Sequence, residues 1–380
     1  MLVWIPFSLV TLLLAYLGDA NNSVTKNFSL YRTLLAVWLA WFVSFGGGAM
    51  TDHANYVRYY NSFDNMSMLG PGEMIVSHIK DLSRVKLNLE IGYVYSNILF
   101  NSLGFSFVGF SFFYAIVVNI LFIRFIYRHK SPILIFLVYI SSSYYTQQAN
   151  LVRQMMAASI FLYATKFIIE KNIFKYIVGI FIASLFHVSA LILIPIYFII
   201  DRNYNKFILI VIWGVTVTIY FVQPAFGFVD IIRKISFVYY DAYFTQTKTI
   251  WVNTGFNWIT NAILIPFLLL NNSYWSKNRI NSLVFNIFYI GVVLENLGGL
   301  SELLYRLALY FFIAYVIMVP NMATYIKGHK ELRIRRIAHY MVILIILYHS
   351  YLLFSFAFRP GATGITLGSS MYEFSDIFKE

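Results

Sequence analysis

Cysteine is absent from the 380 residues, and charged residues make up only 12% of them. Without thiols, the chain cannot form disulfides, thiolate metal sites or a cysteine nucleophile. The low charge content, together with 60% hydrophobic residues and a mean hydropathy of +0.70, excludes an ordinary soluble domain. The composition therefore predicts a polytopic membrane protein.

Long apolar runs supply the membrane-spanning elements, each of which needs roughly 20 apolar residues. We predict an all-α fold in which about twelve transmembrane helices form a single transmembrane domain over residues 1–380. The predicted spans are residues 2–17, 33–49, 107–127, 132–146, 150–169, 173–186, 188–200, 206–222, 258–270, 281–297, 303–322 and 338–358. The run 173–200 is too long for one helix and is split at His187. Residues 89–105 are predicted either to span the membrane or to form a helix on its surface.

The charge that is present is mostly positive, with a formal net value of +12. The basic residues fall mainly in short loops between apolar runs, which is typical of the positive-inside rule and of contact with anionic lipids. A nucleic-acid partner is not expected, because that role needs a soluble module. The pattern places the N-terminus outside and predicts two long outer loops at about residues 50–106 and 223–257. Residues 2–17 lack a basic n-region and a small-residue cleavage site, so we expect a retained helix.

Several ionisable residues are predicted at helix ends on the outer face. They are Asp52, His53, Glu90, Arg153, His187 and Arg306. Such residues are functional candidates, because burying a charge at mid-membrane costs at least about 2.5–3.5 kcal/mol. Arg153, with Gln154 among its polar neighbours, and Arg306 are candidates for binding a lipid diphosphate, since guanidinium groups bind phosphate oxygens in a bidentate manner. The alternative is that each arginine snorkels to lipid headgroups.

His187 has two interpretations. It is either a functional group that accepts a proton or donates a hydrogen bond to phosphate, or it is a hydrogen-bonded turn residue. Asp52 and His53 either orient a base or cap the next helix. The chain has no His-x-x-x-His or multi-carboxylate spacing, so we expect no protein-held metal and no cofactor.

The outer loop 223–257 is dense in aromatic residues. These residues either stack on sugar faces while Arg233 and Lys234 contact phosphate, or belong to an amphipathic helix in the membrane interface. The two interpretations are compatible.

Four blocks of the sequence carry a resemblance to a known family. The block from YYTQQANLVRQ to LFHVSALILIPIYFI at 144–198 resembles the EpsG-like branch of bacterial polysaccharide polymerases, which includes Wzy-type O-antigen polymerases. The supporting matches follow in the family's order: TDHANYVRYYNSF at 51–63, LEIGY at 89–93 and YRLALYFFIAYVIMVP at 305–320. The resemblance covers most of the chain outside the second outer loop.

This resemblance implies a metal-independent, multi-span glycosyltransferase, similar to GT-C-like enzymes, at the periplasmic side of a bacterial inner membrane. It would transfer a growing glycan from undecaprenyl diphosphate onto the next lipid-linked repeat unit, with a chain-length regulator as a candidate partner. The family's arginine and histidine positions match Arg153, His187 and Arg306. Asp52 and Glu90 match positions that are usually acidic there. The catalytic base therefore stays open among Asp52, Glu90 and His187.

Three other functions are compatible with such a chain. An O-antigen ligase uses the same donor but a lipid A core acceptor. A lipid-linked oligosaccharide flippase would carry its charges along a central cavity at mid-membrane depth, whereas here they cluster at one predicted face. A membrane scaffold of an export complex would have no activity of its own.

Overall fold

The computed structural model describes residues 4–20, 30–45, 53–62, 89–127, 132–226, 257–269, 278–298, 302–327 and 332–358. Within these ranges every regular element is a helix. This is the expected result for apolar segments, because a backbone inside lipid must satisfy its own hydrogen bonds. The predicted all-α class is confirmed for the described residues.

The helices follow the predicted apolar runs. In the first half they are α1 (Trp4–Ala20), α2 (Leu30–Phe45), α3 (His53–Ser62), α4 (Ile91–Ser102), α5 (Phe107–Ile126), α6 (Pro132–Ser141), α7 (Ser143–Asn150), α8 (Val152–Ile169) and α9 (Ile173–Ser184). A 3-10 helix (Val188–Leu193) follows, then α10 (Ile196–Ile199), α11 (Lys206–Phe226), α12 (Trp258–Leu269), α13 (Arg279–Leu297), α14 (Glu302–Lys327) and α15 (Leu332–Phe358). Each predicted span coincides with one of these helices or with two short ones.

Length and composition identify the described helices that can cross a membrane. Four are long and apolar enough: Phe107–Ile126, Val152–Ile169, Arg279–Leu297 and Leu304–Asn321. The other apolar stretches within the described helices are shorter, with 10 to 17 residues. The prediction of about twelve spans stays a prediction.

The predicted span 132–146 is interrupted near its outer end. Ser142 is extended, with φ −86° and ψ 148°, and it separates α6 from α7. Its hydroxyl donates to the carbonyl of Tyr139 at 2.7 Å. Serine hydroxyls that bond to a nearby carbonyl compete with the helical hydrogen bonds, which explains the interruption. A second break at Leu151, with φ −118° and ψ 50°, separates α7 from α8.

The predicted split at His187 is confirmed. His187 is extended, with φ −156° and ψ 113°, between α9 and the 3-10 helix. These two elements fold back on each other, and the hydroxyl of Tyr176 donates to the carbonyl of Leu193 at 2.6 Å. His187 therefore lies at the turn of a helical hairpin.

Most of the two outer loops lies outside the described residues. The first loop contributes α3 and α4, and α4 has 12 residues. A helix of that length is about 18 Å long, which is too short to cross a hydrocarbon core of about 30 Å. This length favours a surface helix over a membrane span for residues 89–105.

The chain divides into two compact units. The first comprises Met1–Phe167, Asn172–Ile194 and Ile346–Glu380, and the second comprises Ile168–Lys171 and Pro195–Ile345. In the first unit α2 packs along α5, and in the second α13 packs along α14. The prediction of a single transmembrane domain stays a prediction.

Candidate active site

Three of the predicted site residues meet within the first unit. Glu90 Oε1 lies 2.8 Å from Nδ1 of His187 and accepts a hydrogen bond from the backbone N–H of Val188 at 3.1 Å. Glu90 Oε2 accepts a charge-assisted hydrogen bond from Nη1 of Arg153. One carboxylate therefore links a guanidinium to an imidazole across sequence separations of 63 and 97 residues.

Each of these side chains lies where the chain leaves regular structure. Glu90 is the extended residue before α4, and its carboxylate does not cap that helix. Arg153 is the second residue of α8, directly after the break at Leu151. His187 is the extended residue before the 3-10 helix. The helix ends thus bring three functional groups together without placing any of them inside a continuous apolar face.

A close backbone contact fixes this geometry. The N–H of Gly92 donates to the carbonyl of Leu185 at 2.8 Å. A Cβ at Gly92 would lie 2.8 Å from both the carbonyl oxygen and the Cβ of Leu185, closer than atoms can approach. The contact therefore requires glycine, and it holds the residue two before Gly92 against the residue two after Leu185, which are Glu90 and His187.

Buried tyrosines surround the guanidinium of Arg153. Its Cζ lies 5.9 Å from the ring centroid of Tyr93, and the guanidinium hydrogen-bonds to Tyr56. The rings of Tyr56 and Tyr93 pack edge to face at 5.9 Å, and Tyr93 packs in the same way against Tyr114 at 6.3 Å. All three tyrosines are buried. They provide a rigid wall that orients the guanidinium, a cation that binds well to aromatic faces.

The electrostatics favour an ionised Glu90. Burial raises the pKa of its carboxyl, but the hydrogen bond with His187 and the charge of Arg153 outweigh burial and hold the pKa below its ordinary value of 4.5. An ionised carboxylate only accepts hydrogen bonds, so the Nδ1 of His187 carries the hydrogen that faces it. Nε2 is then the basic nitrogen of the ring. The side chains of Arg153 and His187 are about one-fifth exposed, at 22% and 19%, so both are accessible at the protein surface.

Among the described residues, no cluster of three or more histidine, aspartate and glutamate side chains is arranged to hold a metal ion.

Comparison with known proteins decides the family. The model of the EpsG family matches residues 29–366. The chain belongs to the EpsG family. No curated protein and no solved structure matches it significantly. Family membership and the apolar helices together indicate a membrane protein of polysaccharide biosynthesis.

The remaining predicted residues of this EpsG-family protein are distributed elsewhere. Arg306 is half-buried in the first turns of α14, in the second unit. Gln154 lies in α8 beside Arg153 and is buried, with 3% of its surface exposed. His53 begins α3, while Asp52, Arg233 and Lys234 lie outside the described residues. For these residues, contact with a diphosphate or a role in proton transfer stays a prediction.

Sequence reasoning missed the residues that support the EpsG-family site. Gly92 and Tyr93 stand in the LEIGY block, and Tyr56 stands in the NYVRYY stretch of α3. Their signals were present: a glycine directly after a helix start, and aromatic residues at positions 56 and 60, which share one helix face. The sequence pattern does not show that these residues pack around Arg153.

Proposed function

We propose that this EpsG-family protein is a polysaccharide (O-antigen) polymerase. It transfers the growing glycan from undecaprenyl diphosphate onto the next lipid-linked repeat unit, at the periplasmic face of a bacterial inner membrane. The observation that carries this proposal is the joining of Arg153 and His187 by one carboxylate, Glu90. That arrangement supplies a phosphate-binding cation and an oriented base within one site.

The chemistry is a displacement at the anomeric carbon of the donor glycan. A hydroxyl oxygen of the acceptor sugar attacks that carbon, and the bond to the diphosphate oxygen breaks with its electron pair. The hydroxyl proton passes to a base, and the diphosphate leaves on its lipid. Direct displacement inverts the anomeric centre.

His187 is the base in this mechanism, and Glu90 positions it. With Nδ1 donating to Glu90, Nε2 can take the proton of the acceptor hydroxyl, and the carboxylate stabilises the imidazolium that forms. Glu90 itself is a poor base, because its pKa is lowered and it already accepts three hydrogen bonds. Asp52 remains the alternative base.

Arg153 binds the departing diphosphate. A guanidinium presents five N–H donors in a planar fork, so one edge can bind Glu90 while another binds phosphate oxygens. Fixed positive charge placed where negative charge develops is usually the largest contribution to catalysis. Arg306, in the second unit, is a separate candidate for binding phosphate. The reaction needs no metal in this scheme, since the guanidinium of Arg153 neutralises charge on the leaving group.

The polysaccharide ladder on a gel tests the function in cells. We expect gene deletion to leave a lipid core capped by a single repeat unit, as polymerase loss predicts. Variants Arg153→Ala and His187→Ala, at matched membrane expression, should give the same collapse. Arg153→Lys should rescue poorly, because lysine keeps the charge but loses the planar fork.

The same gel separates the alternatives. An uncapped core after deletion would indicate an O-antigen ligase instead. Loss of all lipid-linked units from the outer leaflet would indicate a flippase. A full ladder in both alanine variants would overturn the site, and a full ladder in the deletion strain would overturn the polymerase proposal.

A further inference from the structure

A polar cavity of about 380 Å³ lies within the second unit. It is lined by residues other than those of the candidate active site: Lys171, Asp201, Asn203, Arg279 and Ser282. Two cations and one carboxylate leave this lining with one net positive charge. The hydrogen bonds that these side chains already make decide which ligand the cavity can take.

One face of α13 holds the connection between α10 and α11 at the cavity. The hydroxyl of Ser282 donates to Oδ1 of Asn203 at 3.1 Å. One turn further along α13, Nδ2 of Asn286 donates to the carbonyls of Ile200 and Arg202 at 2.9 and 2.8 Å. Ser282 and Asn286 are four residues apart, so they share one helix face. These bonds fix the position of Asn203 in the lining.

The carboxylate of the cavity is compensated by Arg279, the first residue of α13. Nε of Arg279 donates to Oδ1 of Asp201 at 2.7 Å, and Nη2 donates to Oδ2. Nη2 and Nη1 also donate to the carbonyls of Ile168 and Ile169 at 3.0 and 2.5 Å. A guanidinium has five N–H groups, so one N–H on Nη1 has no acceptor among the described residues. Both oxygens of Asp201, in contrast, already accept a charge-assisted hydrogen bond.

Two further donors of the lining also have capacity for a ligand. Among the residues that the structure describes, the ammonium of Lys171 forms no ion pair or hydrogen bond. The amide nitrogen of Asn203 likewise has no acceptor there, since Asn203 uses only its Oδ1. An ammonium and an amide nitrogen can only donate hydrogen bonds. The cavity therefore offers donors and positive charge, and the ligand that fits it is an anion with several acceptor oxygens.

The backbone of Lys171 is a separate indication that its side chain has a use. Lys171 follows the end of α8 with a φ of 55°, and its N–H donates to the carbonyl of Ile168 at 3.1 Å. Glycine is the usual residue at such a left-handed position after a helix, because it has no Cβ. Lysine here carries a steric cost that glycine would avoid. Residues held in such a conformation concentrate at functional sites.

We propose that this cavity binds a phosphate group through Lys171, Asn203 and Nη1 of Arg279. A phosphodiester, with a single negative charge, matches the net charge of the lining. The headgroup of an anionic phospholipid and a free phosphate ion share this chemistry. A divalent cation does not fit, because the only carboxylate of the lining is paired and the described residues contain no metal-binding cluster. The inference goes beyond the proposed polymerase function and does not depend on it.

An anionic lipid is available at this position if the predicted topology holds. Lys171, Arg202 and Arg279 belong to the short basic connections that the positive-inside rule places at the inner face. The inner leaflet carries anionic lipids, and basic pockets between helices on that side bind their headgroups.

The first test measures lipid binding to the full chain in detergent. Native mass spectrometry resolves each bound phosphatidylglycerol, and phosphatidylcholine with the same acyl chains is the zwitterionic comparison. We expect the wild type to prefer phosphatidylglycerol, and we expect Lys171→Gly to weaken that binding by about 10- to 100-fold. Lys171→Arg keeps the charge and should bind within about threefold of wild type. Equal affinity of the wild type for the two lipids would contradict the proposal.

The glycine variant separates binding from folding. Lys171→Gly should keep the unfolding temperature within about 2 °C of wild type, because glycine adopts a φ of 55° without a Cβ penalty. Arg202→Gln is the matched control, because Arg202 is an exposed cation of the same unit that does not line the cavity. It should bind phosphatidylglycerol as the wild type does.

The second test reverses the charge preference of the cavity. Asn203→Asp keeps the shape of the side chain and the acceptor for Ser282, but it replaces the amide donor with a negative charge. We expect it to weaken phosphatidylglycerol binding by more than about 10-fold. Binding that is unchanged or tighter in Asn203→Asp would exclude an anion site.

Inorganic phosphate distinguishes the two sources of the ligand. If it displaces phosphatidylglycerol and raises the unfolding temperature of wild type but not of Lys171→Gly, the phosphate group alone is recognised, and a free ion can occupy the site. If phosphatidylglycerol resists displacement but is lost in Lys171→Gly, the ligand is the membrane lipid. If Lys171→Gly behaves like the wild type with both probes, the phosphate site is wrong, and the proposed function is unaffected.

Discussion

Glu90 is the residue on which the first-unit site depends. Removing its charge leaves Arg153 without an ionised partner, and a neutral group at this position no longer requires the hydrogen on Nδ1 of His187. By sequence alone, Glu90 is one of three candidate bases. Its contacts instead favour a positioning role, and no sequence pattern could have distinguished the two, because the partners lie 63 and 97 residues away.

Glu90→Gln should destabilise the protein in a pH-dependent way. A carboxyl whose folded-state pKa is below its ordinary value contributes stability above that ordinary value and loses it as pH falls through the folded-state pKa. We expect the variant to lose about 1.5–3 kcal/mol at pH 7, with the difference from wild type shrinking below about pH 4.5. Thermal unfolding in detergent across that range measures this difference.

Glu170→Gln is the control for this measurement, since the carboxylate of Glu170 is exposed. It should leave the unfolding curve within about 0.5 kcal/mol of wild type at every pH. A difference between Glu90→Gln and wild type that stays constant down to acid pH would contradict the ionised, paired carboxylate.

At the scale of elements, the contact between α4 and the end of α9 sets the distance from Glu90 to His187. Apolar runs predicted the helices themselves, including the turn at His187. They did not predict the break at Ser142. That break arises from a local serine hydrogen bond that leaves the apolar pattern unchanged. The apolar runs do not predict the approach of α4 to Leu185 either, since it depends on packing between segments that are distant in the sequence.

Gly92→Ala should damage activity through this contact. The added methyl group would lie 2.8 Å from backbone and side-chain atoms of Leu185, so α4 must move away. Displacing a positioned group by even about 1 Å can cost on the order of 100-fold in rate, and we expect a loss of 10- to 100-fold. Transfer rates at matched protein amounts measure it.

Gly214→Ala is the matched control, because a Cβ at that position of α11 meets no atom within 4 Å. Alanine in an open helical position should leave transfer unchanged and stabilise the fold by about 0.5–1 kcal/mol. If Gly92→Ala were as active as Gly214→Ala, the close contact would not control the site.

At the scale of the whole molecule, the chain is a helical membrane protein of the EpsG family. Composition and hydropathy suffice to predict this class, because a backbone inside lipid must satisfy its own hydrogen bonds. The sequence predicts that Arg153 and Arg306 both bind a diphosphate, but it does not predict which residues surround each arginine. Arg153 belongs to an arginine–glutamate–histidine group in the first unit, while Arg306 belongs to the second unit. Such groupings depend on tertiary contacts that residue spacing along one chain does not encode.

The shortness of α9 has a consequence for the lipid around the protein. This helix begins between Lys171 and Lys175, which are predicted to lie at the inner face, and its 12 residues cover about 18 Å of a core of about 30 Å. The hairpin turn at His187 would then lie about 12 Å below the outer edge of the hydrocarbon core of an average bilayer. Hydrophobic mismatch costs a fraction of a kcal/mol per Å, so the bilayer beside the hairpin should thin. Glycan transfer in nanodiscs should therefore be faster in short-chain than in long-chain lipids, which would make membrane thickness a regulator of polysaccharide length.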